Sequence, residues 1–238
     1  MLSHKKYMEI QNLNREIGDM FEPGDQIIIQ EKIDGSNASF QYDRETDSVI
    51  CFSRNQILSP ELHLRGFYEW VQKLDKERVH AVLGDNLRMF GEWLVRHTVP
   101  YPKDCYETLY CFDVFDMEQH RYLPQDQVKV LAEQLGLRYV PVFYERSFTS
   151  WEDYQPLVGK TELGGEIGEG IIIKNLSTLS GNLAYTKIVH ENFSENKKTW
   201  KKKQRRKPSP EELQEHERLL AFVNKKLSHL ANKKVSQL

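Results

Sequence analysis

Residues Gln30 to Phe40 read QEKIDGSNASF, and their reading decides the fold. They follow the apolar run Ile27-Ile28-Ile29 and set Lys32, Asp34, Gly35 and Asn37 within six positions. Alternation giving way to a Gly-Ser-Asn cluster predicts a strand that runs into a turn. A lysine at such a strand end, beside a carboxylate and a glycine, suits nucleophilic chemistry. Kept neutral by its surroundings, the amine attacks a carbonyl carbon or a phosphorus. Gly35 would let the backbone approach a ligand closely, and Asp34 would orient the amine. The same short run fits a solvated surface turn, so its meaning depends on the rest of the chain.

At 238 residues the chain is long enough for one well-buried domain with an appendage. With 39% hydrophobic and 29% charged residues and only short apolar runs, it offers no membrane span. The N-terminus lacks the long apolar stretch of a secretory signal. Cys51, Cys105 and Cys111 are odd in number and lack metal-ligand spacing, which predicts reduced thiols in a cytoplasmic protein. The net charge of −2 conceals an asymmetry. From Lys197 onward there are 13 basic and 4 acidic residues, against 20 basic and 31 acidic before it. An acidic body with a basic tail makes an anionic partner such as nucleic acid plausible at that end.

Strand patterns cover residues 26–33, 37–42, 48–53, 89–95, 109–115, 171–173 and 184–189. In the fifth of these, Leu109, Cys111 and Asp113 alternate with Tyr110, Phe112 and Val114. Helical spacing runs from Pro60 to about Glu77, a second helix opens at Leu123-Pro124 and stops at Gly136, and a shorter one starts at Ser150. Several strands interrupted by single helices predict an α+β fold with mostly antiparallel sheets. Lys197 to Lys207 carries eight basic residues in eleven, with Trp200 among them. An amphipathic helix follows Ser209 and Pro210, suited to docking on the body or pairing with a partner helix.

Further segments give the lysine motif its meaning. Arg54 lies in SRN, Glu92 in FGEWL and Phe112-Asp113 in YCFDVFD, while Glu169 and Lys174 lie in EGIIIKN and Lys187 in YTKIV. In order and spacing these resemble the collinear motifs of the covalent nucleotidyltransferases, the polynucleotide ligases and mRNA capping enzymes. The EKIDGSN start, the early SRN arginine and the FSE after the last motif look most like the RNA ligase 2-like family. The resemblance spans residues 26 to 198.

It implies a nucleotidyltransferase domain of ATP-grasp-like character over residues 1–196, followed by a basic segment and amphipathic helix over 197–238. It implies that Lys32 attacks the α-phosphorus of ATP, expels pyrophosphate and holds AMP as a phosphoramidate. Lys174 and Lys187 would contact the α-phosphate, helping to disfavour the charged form of Lys32. Glu92 would accept from the ribose hydroxyls, Phe112 would stack on adenine, and Arg54 and Asn37 suit ribose and phosphate oxygens. Glu31 would join the nucleotide-binding set beside Lys32. Glu169 would hold Mg²⁺, with Mn²⁺ as a substitute. The implied activity is an ATP-dependent RNA ligase that joins a 3′-hydroxyl to a 5′-phosphate. The alternatives are a DNA nick-sealing ligase, a guanylyltransferase, or a non-catalytic RNA-end-binding protein on the same scaffold.

Two positions depart from the pattern. The family usually has a second lysine where this chain has Val189, and often histidine where it has Asp34. DNA ligases and capping enzymes carry a β-barrel after the last motif, whereas about 40 residues of basic and helical character remain here. The basic run 197–207 reads equally as a phosphate-tracking segment with Trp200 stacking on a base, or as a solvated linker.

Overall fold

The computed structural model describes residues 4–178 and 183–193. The basic run and the amphipathic helix read after Ser209 lie outside the described residues. In chain order the elements are β1 (Gln11–Asn12), α1 (Arg15–Gly18), β2 (Gln26–Lys32), β3 (Ser36–Asp43) and β4 (Ser48–Ser53). Then come α2 (Phe67–Val71), α3 (Lys76–Leu83), β5 (Leu87–Leu94), β6 (Thr108–Asp116) and β7 (Arg121–Tyr122). The body closes with α4 (Gln125–Gln134), β8 (Arg138–Tyr139), β9 (Val142–Ser147), β10 (Gly170–Asn175) and β11 (Tyr185–Val189).

The strands form two sheets. Sheet one has the order β1-β11-β10-β2-β9, and sheet two the order β4-β3-β5-β6-β7 with β8 beside β6. All pairings are antiparallel except β1 with β11 and β6 with β8. This is the α+β arrangement that the strand spacing predicts.

Each sheet buries its outer face under its own cover. Phe40, Met89, Trp93, Cys111 and Val114 of sheet two pack against α2, α3 and α4 through Phe67, Val71, Val79, Leu83 and Val128. Ile27 and Ile29 of β2 join Ile171 and Ile173 of β10 beneath Phe148, Tyr154 and Leu157. The alternate isoleucine, Ile28, points to the other face, so the apolar triplet marks a strand buried on both sides. Between the sheets lies an aromatic layer that includes Tyr7, Phe90, Phe115 and Tyr122.

Three local expectations change. The helix read over 60–77 begins only at Phe67, because Leu64, Arg65 and Gly66 all take positive φ (46°, 53° and 93°), and it breaks after Val71 before α3 starts at Lys76. Asp75 then caps α3 by accepting from Arg78 N at 3.1 Å. Strand β9 escapes the pattern because it is an edge strand whose Tyr144, Glu145 and Arg146 are exposed, and charge on an edge blocks stray pairing. Finally, β6 bulges. Phe90 opposes Asp113 and Gly91 opposes Cys111, which leaves Phe112 as the extra residue. The bulge shifts the phase of alternation. Leu109, Cys111 and Val114 therefore share the helix-side core, while Phe112 and Asp113 both turn to the space between the sheets. Simple alternation groups Asp113 with Leu109 and Cys111 instead.

Among the described residues no helix is long and apolar enough to cross a membrane. The three cysteines are buried free thiols.

Candidate active site

Three successive rungs cross sheet one on the face turned toward sheet two. Lys32, Gly170 and Val189 share the first, Gln30, Ile172 and Lys187 the second, and Ile28, Lys174 and Tyr185 the third. Gly170 is confined by its neighbours: a Cβ there would lie 2.2 Å from the Ile188 carbonyl oxygen. Val189 stands level with Lys32 two strands away, which places the family's usual second lysine position at the same end of the groove.

Lys32 Nζ donates to Glu169 Oε2 at 2.6 Å, with both side chains partly exposed. Glu169 immediately precedes β10, and its carbonyl is held by His190 N at 2.8 Å. Burial raises its carboxyl, the Lys32 charge and hydrogen bond oppose that rise, and Asp34 and Lys187 add smaller effects of opposite sign.

Sheet two supplies the facing wall. Asn37 and Glu92 are directly opposed across β3 and β5. Glu92 Oε1 accepts from Gly35 N at 3.2 Å. Gly35 is needed for close packing on β5, since a Cβ would sit 2.6 Å from the Trp93 carbonyl oxygen. Burial pushes the Glu92 carboxyl up to about 8, against the pull of Lys32 and with the help of Glu169. A carboxyl raised in the folded state binds a proton that the unfolded chain has released, so stability falls as pH rises between the two values. Glu92→Gln is therefore expected to gain about 1–3 kcal/mol over wild type between pH 5 and pH 8. Urea unfolding at both pH values tests this, and an equal difference at both would contradict it.

Lys174 lies two rungs below Lys32 and has other partners. Its ammonium contacts both Asp113 carboxylate oxygens at 3.0 Å, the Phe112 carbonyl at 2.8 Å and Gln125 Oε1 at 3.1 Å. Both charged side chains are essentially inaccessible. Burial depresses the Lys174 pKa, and the Asp113 charge works against that. This buried ion pair between β10 and β6 ties the two sheets together.

Two residues near Lys32 in sequence have their partners elsewhere. Asp34 does not orient the Lys32 amine. Its Oδ2 accepts from Thr98 N and Val99 N at 2.8 Å each, and its Oδ1 faces His97 Nδ1 at 3.0 Å. Glu31 is absent from the groove because alternation sends it to the opposite face of β2. There Thr161 Oγ1, Glu162 N and Leu163 N donate to its carboxylate at 2.6, 2.8 and 3.4 Å, fixing the loop that leads to Glu169.

Phe112 is half-buried between the sheets, edge-on to Tyr7 at 4.9 Å between ring centroids. Arg54, half-buried, follows the last residue of β4. The N-terminal segment crosses these positions, a role that its polar sequence did not disclose. His4 lies against the Ser53 carbonyl, Tyr7 Oη donates to Asp113 Oδ2 at 2.5 Å, and Leu13 N donates to the Lys187 carbonyl at 3.0 Å.

Glu169 is the candidate metal ligand. Mg²⁺ is commonly held by one or two carboxylates together with substrate phosphates, and a single partly buried carboxylate beside a cationic groove end fits that pattern.

A family model described as RNA ligase matches residues 25–189. Comparison with curated proteins finds no match. Among solved structures, the chain is similar to an archaeal ATP-dependent RNA ligase at 18% identity and a TM-score of 0.60, over 80% of this chain and 49% of that one. It is also similar to a Naegleria gruberi RNA ligase mutant solved with ATP and Mn, at 19% identity and a TM-score of 0.61, over 81% and 58%. The chain spans between about half and three-fifths of these relatives' length. The likeness shows the nucleotidyltransferase fold, and with a family match that covers more than half of its residues, the chain belongs to the RNA ligase family.

Proposed function

We propose that this protein is an ATP-dependent RNA ligase that works through a lysyl-AMP intermediate on Lys32. The observation that carries the reading is the Lys32–Glu169 contact of 2.6 Å at the groove end. An amine nucleophile must lose a proton before it attacks, and Glu169 is an acceptor already in contact, made more basic by its burial.

In the first step the Lys32 nitrogen attacks the α-phosphorus of ATP. The P–N bond forms, the bond to pyrophosphate breaks, and the ammonium proton passes to Glu169. Lys187, one rung below, stabilises charge on the α-phosphate oxygens. Adenine stacks on Phe112, a contact worth about 1–3 kcal/mol. Glu92 and Asn37 meet the ribose hydroxyls from the opposite wall, and Arg54 meets phosphate or ribose oxygens at its edge. In the second step an oxygen of the RNA 5′-phosphate attacks the same phosphorus, the P–N bond breaks and Lys32 recovers its amine. In the third, a 3′-hydroxyl attacks the activated 5′-phosphate and AMP leaves. Mg²⁺ held by Glu169 and the substrate phosphates would supply Lewis-acid stabilisation of phosphate charge.

The test uses purified protein freed of bound AMP, with Mg²⁺ or Mn²⁺ and α-labelled ATP or GTP, beside Lys32→Ala. Label from ATP on the wild type, and none on the variant, is the expected result. Label from GTP moves the activity to guanylyl transfer. Absence of label from either nucleotide leaves an RNA-end-binding protein on a ligase scaffold.

A further inference from the structure

Asp34 follows the candidate nucleophile by two positions, yet its carboxylate is committed elsewhere. Both backbone bonds at Oδ2 and the His97 contact at Oδ1 belong to the single turn after β5. Tyr101 Oη adds to this by accepting from Asp34 N at 3.1 Å. The carboxylate is largely buried, with 14% of its side chain exposed, while His97 keeps 43%. A buried carboxylate on Nδ1 fixes the orientation of an imidazole, leaving Nε2 to face solvent or a substrate. The pair also sits by the reacting groups, since Asp34 lies two residues after Lys32 and next to Gly35, whose N–H donates to Glu92 Oε1 at 3.2 Å. An exposed imidazole held on the turn that anchors Asp34 is suited to an anion bound near Lys32. Level with Lys32 in its own sheet, two strands away, stands the apolar Val189, which supplies no cation for that anion.

We infer that His97, held by Asp34, is a phosphate-contacting residue of this site. The inference rests on the proposed ligase reading. The phosphate belongs either to the pyrophosphate portion of ATP or to the 5′-end of RNA.

Three single variants of the full chain separate these sources: His97→Ala, His97→Arg and His97→Gln. In the first arm, lysyl-AMP formation is followed in single turnover across ATP concentrations, with its reversal by pyrophosphate. In the second, pre-adenylylated protein is chased with 5′-phosphorylated RNA. If His97 meets the pyrophosphate portion, His97→Ala raises the ATP and pyrophosphate concentrations needed for half-maximal rate by tenfold or more. If it meets the RNA end, the loss falls in the second arm alone. In both cases His97→Arg recovers most of the loss, His97→Gln recovers less, and the melting temperature of all three stays near wild type. Rates within twofold of wild type in both arms would overturn the inference. So would an equal loss in all three variants accompanied by a lower melting temperature, which marks a purely structural turn. Adenylylation of the wild type in the same experiment tests the ligase reading separately.

Discussion

Glu169→Gln is expected to slow formation of the lysyl-AMP adduct by about 10²–10⁴-fold at saturating ATP, the range that removal of a general base produces. Glutamine keeps the size of the side chain and can still accept a hydrogen bond from Lys32 across the present 2.6 Å contact. It cannot hold the proton that Lys32 must shed. The local backbone does not depend on the carboxylate, because the Glu169 carbonyl is anchored separately by His190 N. Loss of rate with an unchanged melting temperature is therefore the expected pair of results, read by single-turnover labelling and thermal unfolding. Titrating Mg²⁺ in the same assay separates two functions of the carboxylate. A rate restored by excess Mg²⁺ assigns the loss to metal holding, and a rate that stays low assigns it to proton transfer. A variant within threefold of wild type at ordinary Mg²⁺ would show that the Lys32 proton leaves by another route.

Lys174→Met should act mainly on stability. Removing the ammonium leaves Asp113 buried and charged with its two 3.0 Å contacts gone, and breaking a buried pair from one side costs about 3–5 kcal/mol. For a domain of this size each kcal/mol moves the melting temperature by roughly 2–4 °C. A drop of about 6–20 °C follows. Adding Asp113→Asn to the same chain removes the stranded charge and should recover a substantial part, since the amide oxygen of the asparagine would still accept from Tyr7 Oη. A single-variant loss below about 1 kcal/mol, or a double variant weaker than the single, would contradict the account of this pair. Adenylylation by the folded fraction tests this placement: Lys174 is two rungs from Lys32, so its loss should spare the chemical step more than Glu169→Gln does.

The chain order of the motifs disclosed the family and the α+β class because both depend on local patterns. Ile27–Ile29 reads as strand wherever it is placed, and EGIII requires a glycine where β10 passes close to β11. Lys32 and Glu169 were legible for the same reason, as a strand end and a strand start whose neighbours are fixed by sheet pairing. The ion pair of Lys174 was not legible, because spacing cannot report depth. Two rungs along a strand carry a side chain about 13 Å from the groove mouth, where a carboxylate from the other sheet waits. The bulge at Phe112 compounded this: one extra residue turned Asp113 inward, and no residue of YCFDVFD announces it. Asp34 was assigned to the Lys32 amine and Glu31 to the nucleotide because they flank Lys32, yet their partners lie 64 and 130 positions away. Tyr7 and His97 gave no signal at all, since each acquires its meaning from a contact that only the folded chain makes.

Sheet one also imposes an order on biosynthesis. Its interior strand β2 is made early, but Ile29 meets Tyr144 on one side and Ile173 on the other. A ribosome adding about 5–20 residues per second needs roughly 6–23 s after Ile29 to reach the first of these partners. Throughout that interval three consecutive isoleucines are on a nascent chain with neither neighbouring strand available. The residue bearing the nucleophile therefore sits at the end of the segment that most needs protection during synthesis. Variants that slow translation between β4 and β9 should aggregate in the cell while remaining normal once refolded.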